Sequence, residues 1–364
     1  MDDFELIKRS KNIEHFLKNK KLNICLIFVF FILLILLIIY FLKFYIKIQI
    51  KKNIKTLNEK IFYYLNNKEK IIENYIIKQN NFCDYSNEYI NYDYEKQIRL
   101  ANFSLKDSSF KIYVYKKDDY ISKCIIKRGN FENNHLLKII KTLNNYIKKN
   151  NIKSKKDILV LDIGGNIGVY SIYLGKLGYS VLSFEPSPRN FYILNKNYCL
   201  NKNNNTILIN EGLSTYEKTC DYYSQKNNIG NGILFCNKID YDYKKSRFFK
   251  QYEVTLTKLS NFIPYLINNN LVLIKIDIEG SEGQALLGGF DLITKYHVPY
   301  IFLEFTPMYL KKHGTNPKNF LKMFTDNGYK ISLKGFLSNS FVSVNEVMKL
   351  TKIQLNLYFI YLDK

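Results

Sequence analysis

Two short runs hold most of the residues in this chain whose types and spacing could do chemistry. They are Asp162-Ile163-Gly164-Gly165-Asn166-Ile167-Gly168 and Asp277-Ile278-Glu279-Gly280-Ser281-Glu282-Gly283. In the first, glycines permit a sharp turn and a close approach of a ligand to the backbone, where a Cβ would intrude. A helix starting near Gly168 would aim its N-terminal amides at an anionic group. Asp162 is suited to orienting an ammonium group, directly or through water. Glu185, one strand-helix-strand step downstream, has two oxygens for the two hydroxyls of a ribose. The pattern is DxGGxxG; neither GxGxxG nor the phosphate-cradling GxxxxGK[ST] occurs. The run therefore predicts a nucleotide-like cofactor rather than a dinucleotide or a triphosphate.

In the second run Asp277 and Glu279 are two residues apart, on one face of an extended segment, so both carboxylates can enter one cleft. Transfer of a group to a hydroxyl requires the oxygen to be positioned and its proton removed, and a carboxylate can do either. Neighbouring acids raise one another's proton affinity, which suits a base. Glu304 ends the next predicted strand on the same rim and completes the catalytic set of Asp277, Glu279 and Glu304. The structural alternative is that Asp277 caps a helix starting near Ser281 while Glu282 is solvated. His313, in a predicted loop, ranks behind these acids as a base.

These residues need a scaffold, and the hydropathy pattern supplies one. Short apolar runs at 158–161, 181–184, 206–209, 271–276 and 300–303 lead to Asp162, Glu185, Asn210, Asp277 and Glu304. Helical patterns at 168–177, 188–200, 284–293 and 318–327 alternate with them. Near-continuous apolar strands separated by helices mean a parallel sheet covered on both faces. Runs at 330–333 and 355–362 predict a closing antiparallel hairpin at one sheet edge. A strand at 110–115 and a helix at 136–147 precede the alternation. Residues 211–270 form a long Tyr-, Lys- and Asn-rich connection, expected to be a small β extension near the site's mouth.

Residues 22–42 contain one polar side chain, Asn23, and no charge. At 1.5 Å per residue they reach about 31 Å, enough for a transmembrane helix. They are too long for a signal-peptide core, and no small-residue cleavage site follows. Six basic residues precede the span and six follow it up to Lys60, so charge does not set the orientation. A short tail (1–21), one span and a large C-terminal domain match the layout of signal-anchored endoplasmic reticulum and Golgi enzymes. That layout predicts a lumenal domain. Residues 43–79 read as a helical stem, 80–91 as a polar linker, and 91–364 as the soluble domain.

The net charge of +22 points first to nucleic acid or an anionic membrane surface. Only five of the 54 basic residues are Arg, however, and Lys lacks the planar fork that reads phosphates and bases. Nucleic acid is thus not the expected partner. Six cysteines form no CxxC pair and four His are present, so no metal site is predicted. Outside the predicted span, five cysteines can pair in an oxidising lumen or remain buried thiols, and spacing does not choose. Oligomeric state has no signal.

In order along the chain, Asp162–Gly168, Phe184-Glu185-Pro186, Asn195–Asn201, Glu211-Gly212-Leu213-Ser214, Val254–Leu259 and Lys275–Leu287 resemble FkbM-type methyltransferases. The stretch 110–132 is similar to that family's lead-in, and the DIEGSE run followed by Leu-Leu-Gly-Gly is the most specific element. Gly165 stands where Ala is common. The resemblance implies an α/β fold: a class I methyltransferase Rossmann-like sheet, here preceded by the transmembrane helix and stem. It implies S-adenosylmethionine as cofactor, with cofactor roles for Asp162, Gly164, Gly168 and Glu185; Gly165, Asn166, Glu211 and Gly212 complete the candidate cofactor set. It implies O-methyl transfer to a hydroxyl of a glycan, glycolipid or small molecule, with active-site roles for Asp277 and Glu279. An RNA methyltransferase, or a catalytically silent membrane-tethered scaffold, is the competing expectation.

Overall fold

The computed structural model describes residues 39, 42, 43, 45–47, 49, 71–84, 90–106, 108–202, 205–236, 247–350 and 354–362. The chain divides into two units, Met1–Asn67 and Lys68–Lys364. In the first, the described positions are helical. The predicted span at 22–42 lies outside the described residues except for Ile39 and Leu42, as does most of the stem. Among the described residues no helix is long and apolar enough to cross a membrane.

The second unit begins with a helix over 71–84 (α1). A short helix Tyr92–Glu95 (α2), a hairpin of Ile98–Leu105 (β1) and Ser108–Tyr115 (β2), and helices Tyr120–Arg128 (α3) and Asn133–Lys149 (α4) follow. Then come Leu159–Ile163 (β3), Val169–Lys176 (α5), Ser180–Phe184 (β4), Pro188–Asn201 (α6) and Thr206–Ile209 (β5). An insertion carries Gly212–Ser214 (β6), Lys218–Gln225 (β7), Asn228–Phe235 (β8) and Phe248–Lys258 (β9). The alternation resumes with Ile263–Asn268 (α7), Leu271–Ile276 (β10), Glu282–Leu287 (α8), Asp291–Thr294 (α9) and Tyr300–Phe305 (β11). It ends with Pro307–Lys312 (α10), Pro317–Thr325 (α11), Tyr329–Ser332 (β12), Val344–Lys349 (α12) and Leu355–Tyr361 (β13).

Among the described residues the main sheet has seven strands in the order β12-β13-β11-β10-β3-β4-β5. β11, β10, β3, β4 and β5 are mutually parallel, and β13 runs antiparallel to both its neighbours. Period-two alternation splits each central strand between two cores. In β3, Leu159, Leu161 and Ile163 enter one core, while Val160, and Ile158 just before the strand, enter the other with α4, α5 and α6. Each fully buried Leu or Ile stabilises the fold by roughly 1.5–3 kcal/mol. Asp162 falls on the second face because of that alternation, in a position its neighbours leave dry.

The last two strands pair antiparallel at one sheet edge as expected, with β13 between β11 and β12 and α12 in their connection. Other expectations need correction. The single helix expected at 284–293 is broken into α8 and α9 at Gly288-Gly289. A Cβ on Gly288 would lie 2.2 Å from the Ser214 carbonyl oxygen, so β6 packs directly on the helix end. Residues 80–84, read as linker, continue α1, and Cys83 is disulfide-bonded to Cys199 of α6. Ile72 enters the core from α1, and Gln79 bonds both the Thr206 carbonyl and the Leu208 amide of β5. The insertion is a β extension as expected, a sheet ordered β6-β9-β7-β8 with a Cys220–Cys236 disulfide joining β7 to the end of β8.

Candidate active site

Strand register collects the site. Ile163 of β3 pairs with Phe184 of β4 and Ile276 of β10, and Ile276 pairs with Leu303 of β11. The next residue on each strand is Gly164, Glu185, Asp277 and Glu304. Parallel strands in register bring these four to one rim, the carboxyl edge where doubly wound sheets bind ligands. A cavity of about 280 Å³ opens there, close to the lower end of small-molecule sites at about 300 Å³.

The glycine run is shaped by the protein itself. Gly164 has φ +87, and a Cβ there would stand 2.1 Å from the Asp277 carbonyl oxygen. The close approach that demands glycine is therefore that of β10, rather than of a ligand. The Gly164 and Gly165 amides both donate to the Phe184 carbonyl, at 3.0 and 2.9 Å, closing the turn. Gly164, Gly165, Asn166 and Gly212 line the cavity, whereas Gly168 packs on Leu194 and Ile172.

Glu185 lines the cavity while nearly inaccessible. Its Oε2 accepts from the Asn166 amide at 2.8 Å and its Oε1 from the Ser187 amide at 2.9 Å. Burial pushes the carboxyl up to about 7 against those bonds. Asn166 and Asn190 each donate to the Gly230 carbonyl, at 3.0 and 2.8 Å, so the inserted hairpin β7–β8 is tied to the cofactor loop.

Asp162 does not line the cavity. Its Oδ1 is 3.1 Å from Lys275 Nζ and its Oδ2 accepts from Ser171 Oγ at 2.5 Å. Lys275 also donates to the Gly164 carbonyl at 2.8 Å, so Asp162 anchors the loop through that lysine. Burial alone would push the Lys275 ammonium down, but the Asp162 and Asp277 charges outweigh it and hold it above its ordinary range. Glu211 also turns away: it accepts from Tyr75 of α1 at 2.7 Å.

Asp277, Glu279 and Glu304 do come together, with oxygens within 4.8 Å of one another. A metal ion could also bridge such a group, although the sequence reading assigns none. Burial, the Asp277 charge and a hydrogen bond to Asp277 drive the Glu304 carboxyl far above the carboxylate range, so it keeps its proton. Burial and Asp277 push Glu279 up as well, while Asn231 donates to its Oε1 at 2.7 Å. Glu282, expected in solvent, is buried and accepts from the Ile278 and Gly280 amides, at 3.2 and 3.1 Å. It caps the turn in place of Asp277. His313 stacks on Phe235 away from the cavity, where burial lowers it to about 4.

Reasoning from the sequence passed over Glu132, Tyr170, Lys275 and Asn231, which all line the cavity. Only Lys275 left a signal there, as a charge in the otherwise apolar strand Leu271–Ile276.

The family model described as the Methyltransferase FkbM domain matches residues 162–331, the stretch that contains the loop, Glu185 and the acid cluster. Over that stretch the chain carries an FkbM methyltransferase domain. Its cofactor is S-adenosylmethionine, and the cavity fits it: Glu185 presents two acceptor oxygens for a ribose diol, and the acids suit a cationic ligand. Methyltransferase 1 of Beauveria bassiana (strain ARSEF 2860) is 26% identical over 146 residues, covering 36% of this chain and 58% of that protein. The match thus spans little more than half of that relative. A TehB-like SAM-dependent methyltransferase from Corynebacterium glutamicum aligns at 13% identity and TM-score 0.32, covering 66% of this chain and 94% of that one. Magnesium protoporphyrin IX methyltransferase from Synechocystis PCC 6803 with bound SAH aligns at 14% and 0.33, covering 67% and 88%.

Proposed function

We propose that this methyltransferase acts on a hydroxyl oxygen, in a glycan, glycolipid or small molecule. The carrying observation is the gathering of Asp277, Glu279 and Glu304 beside the cofactor loop. When bound, S-adenosylmethionine supplies an electrophilic methyl group on a sulfonium. Glu185 holds the ribose end, and the loop amides of Gly165 and Asn166 shape the floor. Glu304, which keeps its proton, is bonded to Asp277, and the remaining oxygens of the pair line the wall beside the acceptor. Together they orient a hydroxyl for in-line attack. Only five of the 54 basic residues are Arg, which weighs against RNA as the acceptor.

We further propose that residues 22–42 anchor the chain in a membrane and that the domain faces an oxidising lumen, of the endoplasmic reticulum or Golgi. The 21-residue uncharged run supports the anchor. The Cys83–Cys199 and Cys220–Cys236 bonds support the compartment, since such bonds persist where thiols are not kept reduced.

The test is methyl transfer from labelled cofactor by the full chain into a total membrane extract, followed by identification of the labelled bond. An alkali-stable ether is expected; a labelled nitrogen, carboxyl or RNA product would overturn the reading. Protease digestion of sealed microsomes tests the orientation: protection supports the lumen, and digestion from the cytosolic side removes it.

A further inference from the structure

Glu132 lies upstream of the matched stretch 162–331 and at the start of α4, yet it lines the same cavity as Asp277 and Glu304. Its backbone is left-handed, with φ 50, a conformation disfavoured for a residue with a side chain. It makes no side-chain capping bond to α4, so helix capping does not explain it. Asn166 and Glu279 share both properties, left-handed φ and a place in the cavity wall. Strained backbone that recurs around one cavity marks residues held for function.

The Glu132 side chain is also held from behind. Tyr170 of α5 donates its hydroxyl to Glu132 Oε2 at 2.6 Å, and the Lys275 ammonium lies 5.2 Å from the Tyr170 ring centroid. The acid is thereby connected to the Lys275–Asp162 pair that anchors the cofactor loop. The other acids are committed: Glu304 keeps its proton and is bonded to Asp277, and Glu279 is bonded to Asn231. Burial first, and the Asp277 charge second, raise the proton affinity of Glu132, the direction a base needs.

Resting on the hydroxyl-acceptor reading above, we propose that Glu132 is the base of the reaction and accepts the acceptor hydroxyl's proton. In the balance of that step the acceptor oxygen forms a bond to the methyl carbon, and the carbon–sulfur bond breaks with its electron pair left on sulfur. The hydroxyl proton ends on the Glu132 carboxylate. Tyr170 is a positioning residue for it.

The experiment uses the full chain in detergent, with three readouts: label transfer into membrane extract, calorimetric binding of S-adenosylhomocysteine, and thermal melting. Glu132→Gln should lower transfer at least about a hundredfold, the usual scale for losing a general base, and leave product affinity within about threefold. Glu132→Gly should lose transfer equally while melting at or above the wild-type temperature, because glycine accepts the left-handed backbone. A purely structural Glu132 would instead lower the melt. Transfer by Glu132→Gln within about threefold of wild type overturns the proposal, as does a tenfold loss of product binding, which would assign the residue to the cofactor. Failure of the hydroxyl reading itself shows separately, in the wild-type arm, as label on an atom other than oxygen or as no label at all.

Discussion

Lys275 and Asp162 face each other across neighbouring parallel strands and form a buried ion pair at 3.1 Å, although far apart in the chain. The pair sits directly beneath the cofactor loop, and the lysine also holds the Gly164 carbonyl. A buried pair is weak evidence of net stabilisation, because both charges have lost water. Its breaking is costly for the same reason.

Lys275→Met should destabilise the protein by about 3–5 kcal/mol, since Asp162 is left buried and uncompensated. Adding Asp162→Asn should recover much of that loss. Urea denaturation of the two single variants and the double variant measures the coupling; additive losses would show that the pair acts as two independent side chains.

Asp277→Asn removes the charge that Glu304 faces while keeping the shape. Affinity for S-adenosylhomocysteine should stay within about threefold, and methyl transfer should fall by about a hundredfold or more. Calorimetry and single-turnover labelling separate the two effects.

Glu185 sets a pH dependence. Its folded carboxyl is raised to about 7, so the folded state holds a proton that the unfolded chain releases near 4.5. Its contribution therefore falls as pH rises from about 4.5 to about 7, and Glu282, also raised to about 7, adds the same sign. Unfolding free energy should decline across that window by a few kcal/mol, and Glu185→Gln should flatten the slope. On the proposed reading that Glu185 takes the ribose hydroxyls, these would donate to its charged form, so cofactor binding should tighten as pH passes 7 and should release a proton. Calorimetry in buffers of different ionisation enthalpy reads that proton directly.

The Cys83–Cys199 bond closes a separation of 116 residues, for which chain entropy alone gives about 4–5 kcal/mol. Cys83→Ser should lower stability by about 2–5 kcal/mol and free α1 from α6. A mobility shift on non-reducing gels identifies the bond, and denaturation in the presence and absence of reductant measures its worth.

The local and periodic features were legible without coordinates. Apolar runs ending at Asp162, Glu185, Asp277 and Glu304 predicted a parallel sheet because a buried strand must be apolar on both faces. The glycine run predicted a sharp turn because only glycine takes such backbone angles without strain. The tertiary structure decided which way each acid faces. Asp162 alternates inward and finds Lys275, Glu211 turns to Tyr75, and Glu282 caps a turn, none of which residue type reveals. Glu132 closes the lead-in stretch 110–132 but had no role assigned there; the packing of α4 beside β3 and β10 brought it to the cavity. Partners so distant in sequence are chosen by strand register and by the cost of leaving a charge unpaired in a dry core, and both arise only once the sheet has closed.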